Sequence, residues 1–286
     1  MLTKLMKYDF RSIRRFGLPM IIILIAVYIF GALNSVLMAI ASQQLNTPDA
    51  APIWVVIMLL TSLFQLLVSF VSSGAAIAMQ IIILVDFYQT LVTDQGYLTF
   101  TLPVRPSQIL TSKLICGSLW SLIVTVITVV GLLGVELASA AGLANSLDVG
   151  LTMDIIQTMF QELLSEVPFA DMMIMGTMLI LLIPVSLVNS LLLYYMAIFF
   201  ASVVSRKNRV VVAIGSIFGV NFLYGIIASI VIFVIFLFSG VIAALAESVT
   251  LMLELFLGLM LLILAGTTVL FFWLTKYMME KKLNLP

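Results

Sequence analysis

Six apolar stretches, at residues 17–41, 52–85, 114–141, 172–203, 210–245 and 250–275, leave this chain little to fold into except helices that cross a bilayer. Each provides the roughly 20 residues that a helix needs to span about 30 Å of hydrocarbon. In lipid a helix is also the form that satisfies every backbone N–H and C=O within its own segment. Charged residues make up 9% of the 286 and hydrophobic ones 63%, too little charge to keep so much apolar surface in water. No segment between the stretches is long enough for an independent soluble domain, so residues 1–286 read as one all-α transmembrane domain with six spans. The second and fifth stretches exceed one crossing, so each either tilts, extends beyond the membrane, or breaks into a span and a re-entrant piece, with Ser239-Gly240 the candidate break in the fifth. The first stretch is too long for a signal-peptide core of about 7–15 residues, so it reads as a retained span.

The cations are sorted along the chain. Lys4, Lys7, Arg11, Arg14 and Arg15 precede the first span, Arg105 and Lys113 lie between the second and third, Arg206, Lys207 and Arg209 between the fourth and fifth, and Lys276, Lys281 and Lys282 in the tail. The other loops carry Asp49, then Asp148, Asp154, Glu162, Glu166 and Asp171, then Glu247. Cationic loops stay inside, so both termini and the even-numbered loops are expected in the cytoplasm. Residues 2–16 place Leu2, Leu5, Met6, Phe10, Ile13 and Phe16 on one helical face and five cations on the rest, the pattern of an amphipathic helix lying in the headgroup layer. In the outer loop 142–171, residues 151–167 show a second amphipathic pattern that ends at Pro168.

Several chemistries are excluded. Histidine is absent and Cys116 is the sole cysteine, so zinc-protease sites, Ser-His-Asp triads, cysteine-rich metal sites and internal disulfides cannot be built. No G-x-x-x-x-G-K-[ST] loop is present to cradle a nucleotide phosphate. Glu136 and Glu254 fall toward the outer ends of their spans, and Asp86 at the inner end of the second, where a carboxylate is expected to reach water. The mid-span polar residues Gln65, Asn189 and Asn221, with Gln80 nearer the cytoplasm, are neutral and read as interhelical glue. The chain is therefore expected to be no enzyme, to carry no cofactor or metal, and to bind no nucleic acid.

The loop 86–113 is the most informative segment. Asp94-Gln95-Gly96 is turn chemistry, and Pro106-Ser107 suits the first turn of the next helix. Tyr97, Phe100 and Leu102 are available either to dock a protein partner or to pack against the chain itself. The run Thr93-Asp94-Gln95-Gly96-Tyr97-Leu98-Thr99-Phe100-Thr101-Leu102-Pro103-Val104, followed by Gln108, Leu110, Ser112 and Lys113, resembles the ABC-2-type permeases, membrane subunits of bacterial ATP-binding-cassette exporters. The likeness extends over the whole chain, from the basic amphipathic start through six spans.

That resemblance implies a multi-pass protein of the bacterial plasma membrane that exports an amphipathic cargo such as a peptide, drug or lipid-like molecule. It implies two permease subunits, identical or different, and a separate ATPase that holds the ATP and Mg²⁺. Residues 2–16 would be a connecting helix on the inner leaflet. Asp94, Gly96, Tyr97, Phe100, Leu102, Pro103 and Arg105 would couple to the ATPase, with Arg206, Lys207 and Arg209 as a second contact or simply a topology-fixing basic cluster. A stand-alone carrier or channel, or a non-transporting anchor for an ATPase, are the rival classes. In a Cys116→Ser background, Asp148→Cys, Glu162→Cys and Glu247→Cys should label from outside intact cells, and Leu98→Cys, Lys207→Cys and Lys281→Cys only after permeabilisation. External labelling at position 207 would reverse the orientation.

Overall fold

The computed structural model describes residues 2–45, 51–93, 96, 104–144, 168–204, 209–245 and 249–281. Among the described residues there are six long helices and no strand: α1 (Leu2–Leu45), α2 (Ile53–Leu91), α3 (Pro106–Ala144), α4 (Phe169–Val204), α5 (Arg209–Leu245) and α6 (Val249–Lys281). All six are long and apolar enough to cross a membrane, so the fold is that of an all-α, multi-pass membrane protein. The shortest, α6, has 33 residues, and at 1.5 Å per residue such a helix is about 50 Å long, more than the hydrocarbon requires.

One expectation about helix boundaries changes and another is narrowed. Residues 2–16 are helical, but they run without interruption into the first span as the start of the 44-residue α1. Of the alternatives for the fifth stretch, the break at Ser239-Gly240 does not occur; α5 continues through it to Leu245. A glycine inside a helix costs only about 1 kcal/mol, and a long apolar segment gains nothing in lipid by exposing the backbone groups that a break would free. The surface helix expected over 151–167 lies outside the described residues.

The chain divides into two compact units. The first comprises Met1–Ser12, Ile83–Leu119 and Val167–Pro286, the second Ile13–Ile82 and Trp120–Glu166. In the first unit α4 is central: Leu191, Leu192, Leu193, Tyr195, Ala197, Ile198, Phe199 and Ala201 are all buried, so the helix is enclosed over most of its circumference there, with Phe200 left exposed. Leu192 and Leu193 pack with Phe271 of α6, and Leu114, Val220 and Tyr224 close around them.

The second unit is built from the remaining lengths of α1, α2 and α3. Tyr28 of α1 lies so close to Gly131 of α3 that a Cβ at Gly131 would collide with its ring carbons Cγ and Cδ2. One turn away, Gly134 faces open space. Gly131→Ala is therefore expected to destabilise the protein by about 1–3 kcal/mol, the cost of overpacking. Gly134→Ala should be neutral or stabilising by up to about 1 kcal/mol. Thermal unfolding in mild detergent separates them, and equal melting points would disprove the close approach.

Candidate functional site

In the first unit the feature with chemical consequence is a buried lysine between two aspartates. Along the first turns of α1, Lys4, Lys7 and Arg11 are exposed, while Leu5, Met6 and Phe10 are half-buried. Asp9 lies on the same side as those three apolar residues, away from the cations. From α3, two turns past its start, Lys113 extends Nζ to Asp9 Oδ1 at 2.8 Å and to Asp86 Oδ2 of α2 at 2.6 Å. The Lys113 side chain is 5% exposed, and those of Asp9 and Asp86 are 12% and 10%.

The remaining carboxylate oxygens are also satisfied. Ser112 Oγ donates to Asp9 Oδ2 at 2.6 Å, and Ser12 Oγ donates to Asp86 Oδ1 at 2.6 Å. Every carboxylate oxygen thus has a donor, which is the condition under which buried charge is tolerated. Cys116 adds a weak S–H bond to the Met6 carbonyl at 3.4 Å, one turn beyond Lys113. Together these contacts tie the start of α1 to the end of α2 and the start of α3.

A fourth helix joins through an aromatic stack. Tyr195 of α4 lies face to face with Phe87, with ring centroids 3.6 Å apart and planes 2° from parallel. The Phe87 ring also meets the Phe199 ring edge-on at 5.4 Å. The Tyr195 hydroxyl donates to the Lys113 carbonyl at 3.4 Å. Gly117 makes this possible, since a Cβ there would come within 2.9 Å of that hydroxyl and 3.1 Å of Ile83. Two turns along α4, Asn189 donates to the Tyr224 hydroxyl of α5 at 3.0 Å, while Thr267 and Thr268 of α6 donate to its Oδ1 at 3.2 and 3.3 Å.

The start of α3 has the expected chemistry. Pro106 takes the first helical position, and Gln108 Oε1 accepts from the Arg105 backbone N–H at 3.3 Å, the reciprocal half of a capping box. At the other end of the loop the Gly96 N–H donates to the Thr93 carbonyl at 2.7 Å. Gly96 is buried and Arg105 exposed. Arg209 begins α5. Asp94, Tyr97, Phe100, Leu102, Pro103, Arg206 and Lys207 lie outside the described residues.

Sequence reasoning placed Asp86 where it could reach water; instead it is enclosed, with Lys113 supplying the compensation. Asp9 was missed altogether. Its signal was that of a lone carboxylate on the apolar side of an otherwise basic segment, where only a partner justifies a charge. Of the neutral mid-span residues, Asn189 bridges helices as above, Gln65 accepts from Asn34 of α1 at 3.3 Å, and Gln80 donates to Ser121 of α3 at 3.3 Å. Asn221 departs from the expectation: its amide donates to the Ile217 carbonyl of its own helix at 2.8 Å rather than to a neighbouring helix.

Comparisons with protein-family models, curated proteins and solved structures find no match to this chain.

Two carboxylates share one ammonium, so losing the lysine is worse than losing either acid. Lys113→Met should cost about 3–5 kcal/mol, because it strands two adjacent buried carboxylates. Asp9→Asn leaves a neutral Asp86–Lys113 pair and keeps an acceptor for Ser112, so it should cost much less. Unfolding curves in detergent provide the comparison. A loss at Asp9→Asn as large as that at Lys113→Met would show that packing, rather than charge compensation, holds the cluster.

Proposed function

We propose that the chain is the transmembrane permease subunit of an ATP-binding-cassette exporter, driven by a separate ATPase and paired with a second permease subunit. The single observation that most supports this is the Asp86–Lys113 contact of 2.6 Å. These two residues bound the loop that resembles the coupling segment of ABC-2 permeases. A loop that receives a push transmits it only if its two stems move together. Here they are joined by a buried ion pair and tied through Asp9 to the basic N-terminal segment.

From that base a continuous series of contacts leads onward. Phe87 and Lys113 bear on Tyr195, and Asn189, on the same helix, bears on Tyr224, Thr267 and Thr268. A displacement of the loop would reach α5 and α6 through one rigid helix, as in transitions in which packed elements shift as bodies. The cation distribution puts the loop in the cytoplasm, where an ATPase could reach it. Energy has to come from such a partner, because the sequence contains no phosphate-binding loop. The membrane would be the bacterial plasma membrane and the cargo amphipathic.

Tyr97 and Phe100 provide the test. Aromatic hot spots at protein interfaces typically contribute 2 kcal/mol or more, so Tyr97→Ala with Phe100→Ala should weaken ATPase binding by over about tenfold. Arg206→Gln with Lys207→Gln should do less, since exposed charges contribute about 0–1 kcal/mol. The measurements are pull-down stoichiometry and ATP hydrolysis in reconstituted vesicles, with the melting temperature as control. Full binding and full activity in the aromatic double variant would overturn the coupling role. If no ATPase co-purifies with the tagged chain, the exporter assignment gives way to a stand-alone carrier.

A further inference from the structure

The second unit contains a half-open cavity of about 340 Å³ between α1, α2 and α3, near the end at which α1 and α3 finish and α2 begins. That volume is within the range of small-molecule sites, roughly 300–1,000 Å³. Its walls are mainly apolar, with Met38, Met58 and Val135 prominent, and one charged residue, Glu136, lines it. Glu136 is exposed near the end of α3, so its carboxylate is free to meet a cation that enters the cavity, and ionisable groups on membrane helices mark ligand or ion sites.

Among the described residues of this unit, none is seen to pair with that carboxylate. They include two cations, Arg14 and Arg15, which precede Ser35 on α1 by some 20 residues, about 30 Å at 1.5 Å per residue. The sequence has no Lys or Arg between Arg15 and Arg105, or between Lys113 and Arg206. The segments continuing from this end add Asp49, Asp148, Asp154, Glu162 and Glu166 and not one cation. Such one-sided charge draws cations toward it.

The serines of the lining have the same bias, whereas Gln65, whose Oε1 accepts from Asn34 at 3.3 Å, keeps its amide N–H groups. The Ser35 hydroxyl donates to the Ala32 carbonyl at 2.8 Å, and that of Ser139 donates to the Glu136 carbonyl at 2.7 Å. With their protons so engaged, these hydroxyls have only lone pairs to offer the cavity. The Met38 and Met58 thioethers are polarisable weak acceptors that adapt to an irregular apolar body. Acceptors, soft sulfur and one carboxylate on apolar walls suit a lipophilic organic cation. They do not suit a small hard ion, which requires six or more oxygens.

We infer that this cavity binds a lipophilic organic monocation (an amine, quaternary ammonium or phosphonium), with Glu136 as the counter-ion and the Met-lined walls taking the apolar part. The site belongs to the second unit and does not rest on the proposed coupling to an ATPase. The probe is tetraphenylphosphonium, with tetraphenylborate as an anion of the same shape, measured by equilibrium binding to the full chain in phosphatidylcholine nanodiscs without ATPase. Tetraphenylphosphonium should bind saturably, and Glu136→Gln should weaken it by about tenfold or more, the worth of a charge-assisted contact. Glu136→Asp should retain most of the affinity. Met58→Trp, which fills the cavity but keeps the carboxylate, should lose it. Saturable binding that ignores Glu136→Gln or Met58→Trp overturns the site, as does equal uptake of tetraphenylborate or only non-saturable partition into lipid. Should Glu136→Gln fail to fold, Met58→Trp and the comparison of the two ions decide.

Discussion

Lys113 is the charge around which the first unit is organised. A lone ammonium buried to this degree would be untenable, and so would two carboxylates within reach of each other; each makes the other possible. The hydroxyls of Ser12 and Ser112 complete the arrangement by occupying the oxygens that the lysine does not reach. The geometry that results is specific where apolar packing is not. Greasy helices slide and rotate against one another at small cost, whereas an ammonium with two fixed acceptors accepts one register. The Phe87–Tyr195 stack and the Tyr195 hydroxyl bond carry that register to α4.

The fold was largely legible because the bilayer dictates it. A stretch of twenty apolar residues has one structural solution in lipid, so the number and type of elements followed from hydropathy. Helix ends were less legible, since hydropathy marks where a helix meets hydrocarbon and not where it stops. Thus α1 continues back to Leu2 through a segment that reads as separate, and α5 continues past Ser239-Gly240. The cluster was half visible. Asp86 and Lys113 could each be picked out, but their pairing depended on a loop returning the chain to its starting point. Asp9 meets Ser112 across 103 positions, a separation at which periodicity and propensity carry no information.

Polar residues serve two purposes in these helices. Some finish their hydrogen bonds on neighbouring helices, as Asn189 does with Tyr224 of α5 and with Thr267 and Thr268 of α6 in the first unit, and as Asn34 with Gln65 and Gln80 with Ser121 do in the second. Others, the serines of the cavity among them, satisfy their own backbone. That choice holds no neighbour in place and leaves a lined space. Residue counts do not reveal this difference, because serine serves both purposes; only the partner distinguishes glue from lining.

The stoichiometry of the Lys113 cluster also orders events in time. Synthesis delivers Asp9 first and Asp86 second, and both carboxylates exist before the residue that neutralises them. Until α3 begins to emerge, the ends of α1 and α2 that carry Asp9 and Asp86 cannot come together dry, because the counter-charge has not yet been made. A nascent chain would therefore hold these ends open to water or headgroups. The arrival of α3 would then act as a proof-reading step: a third span inserted in the wrong direction would carry Lys113 to the opposite leaflet and leave the first two helices unable to close.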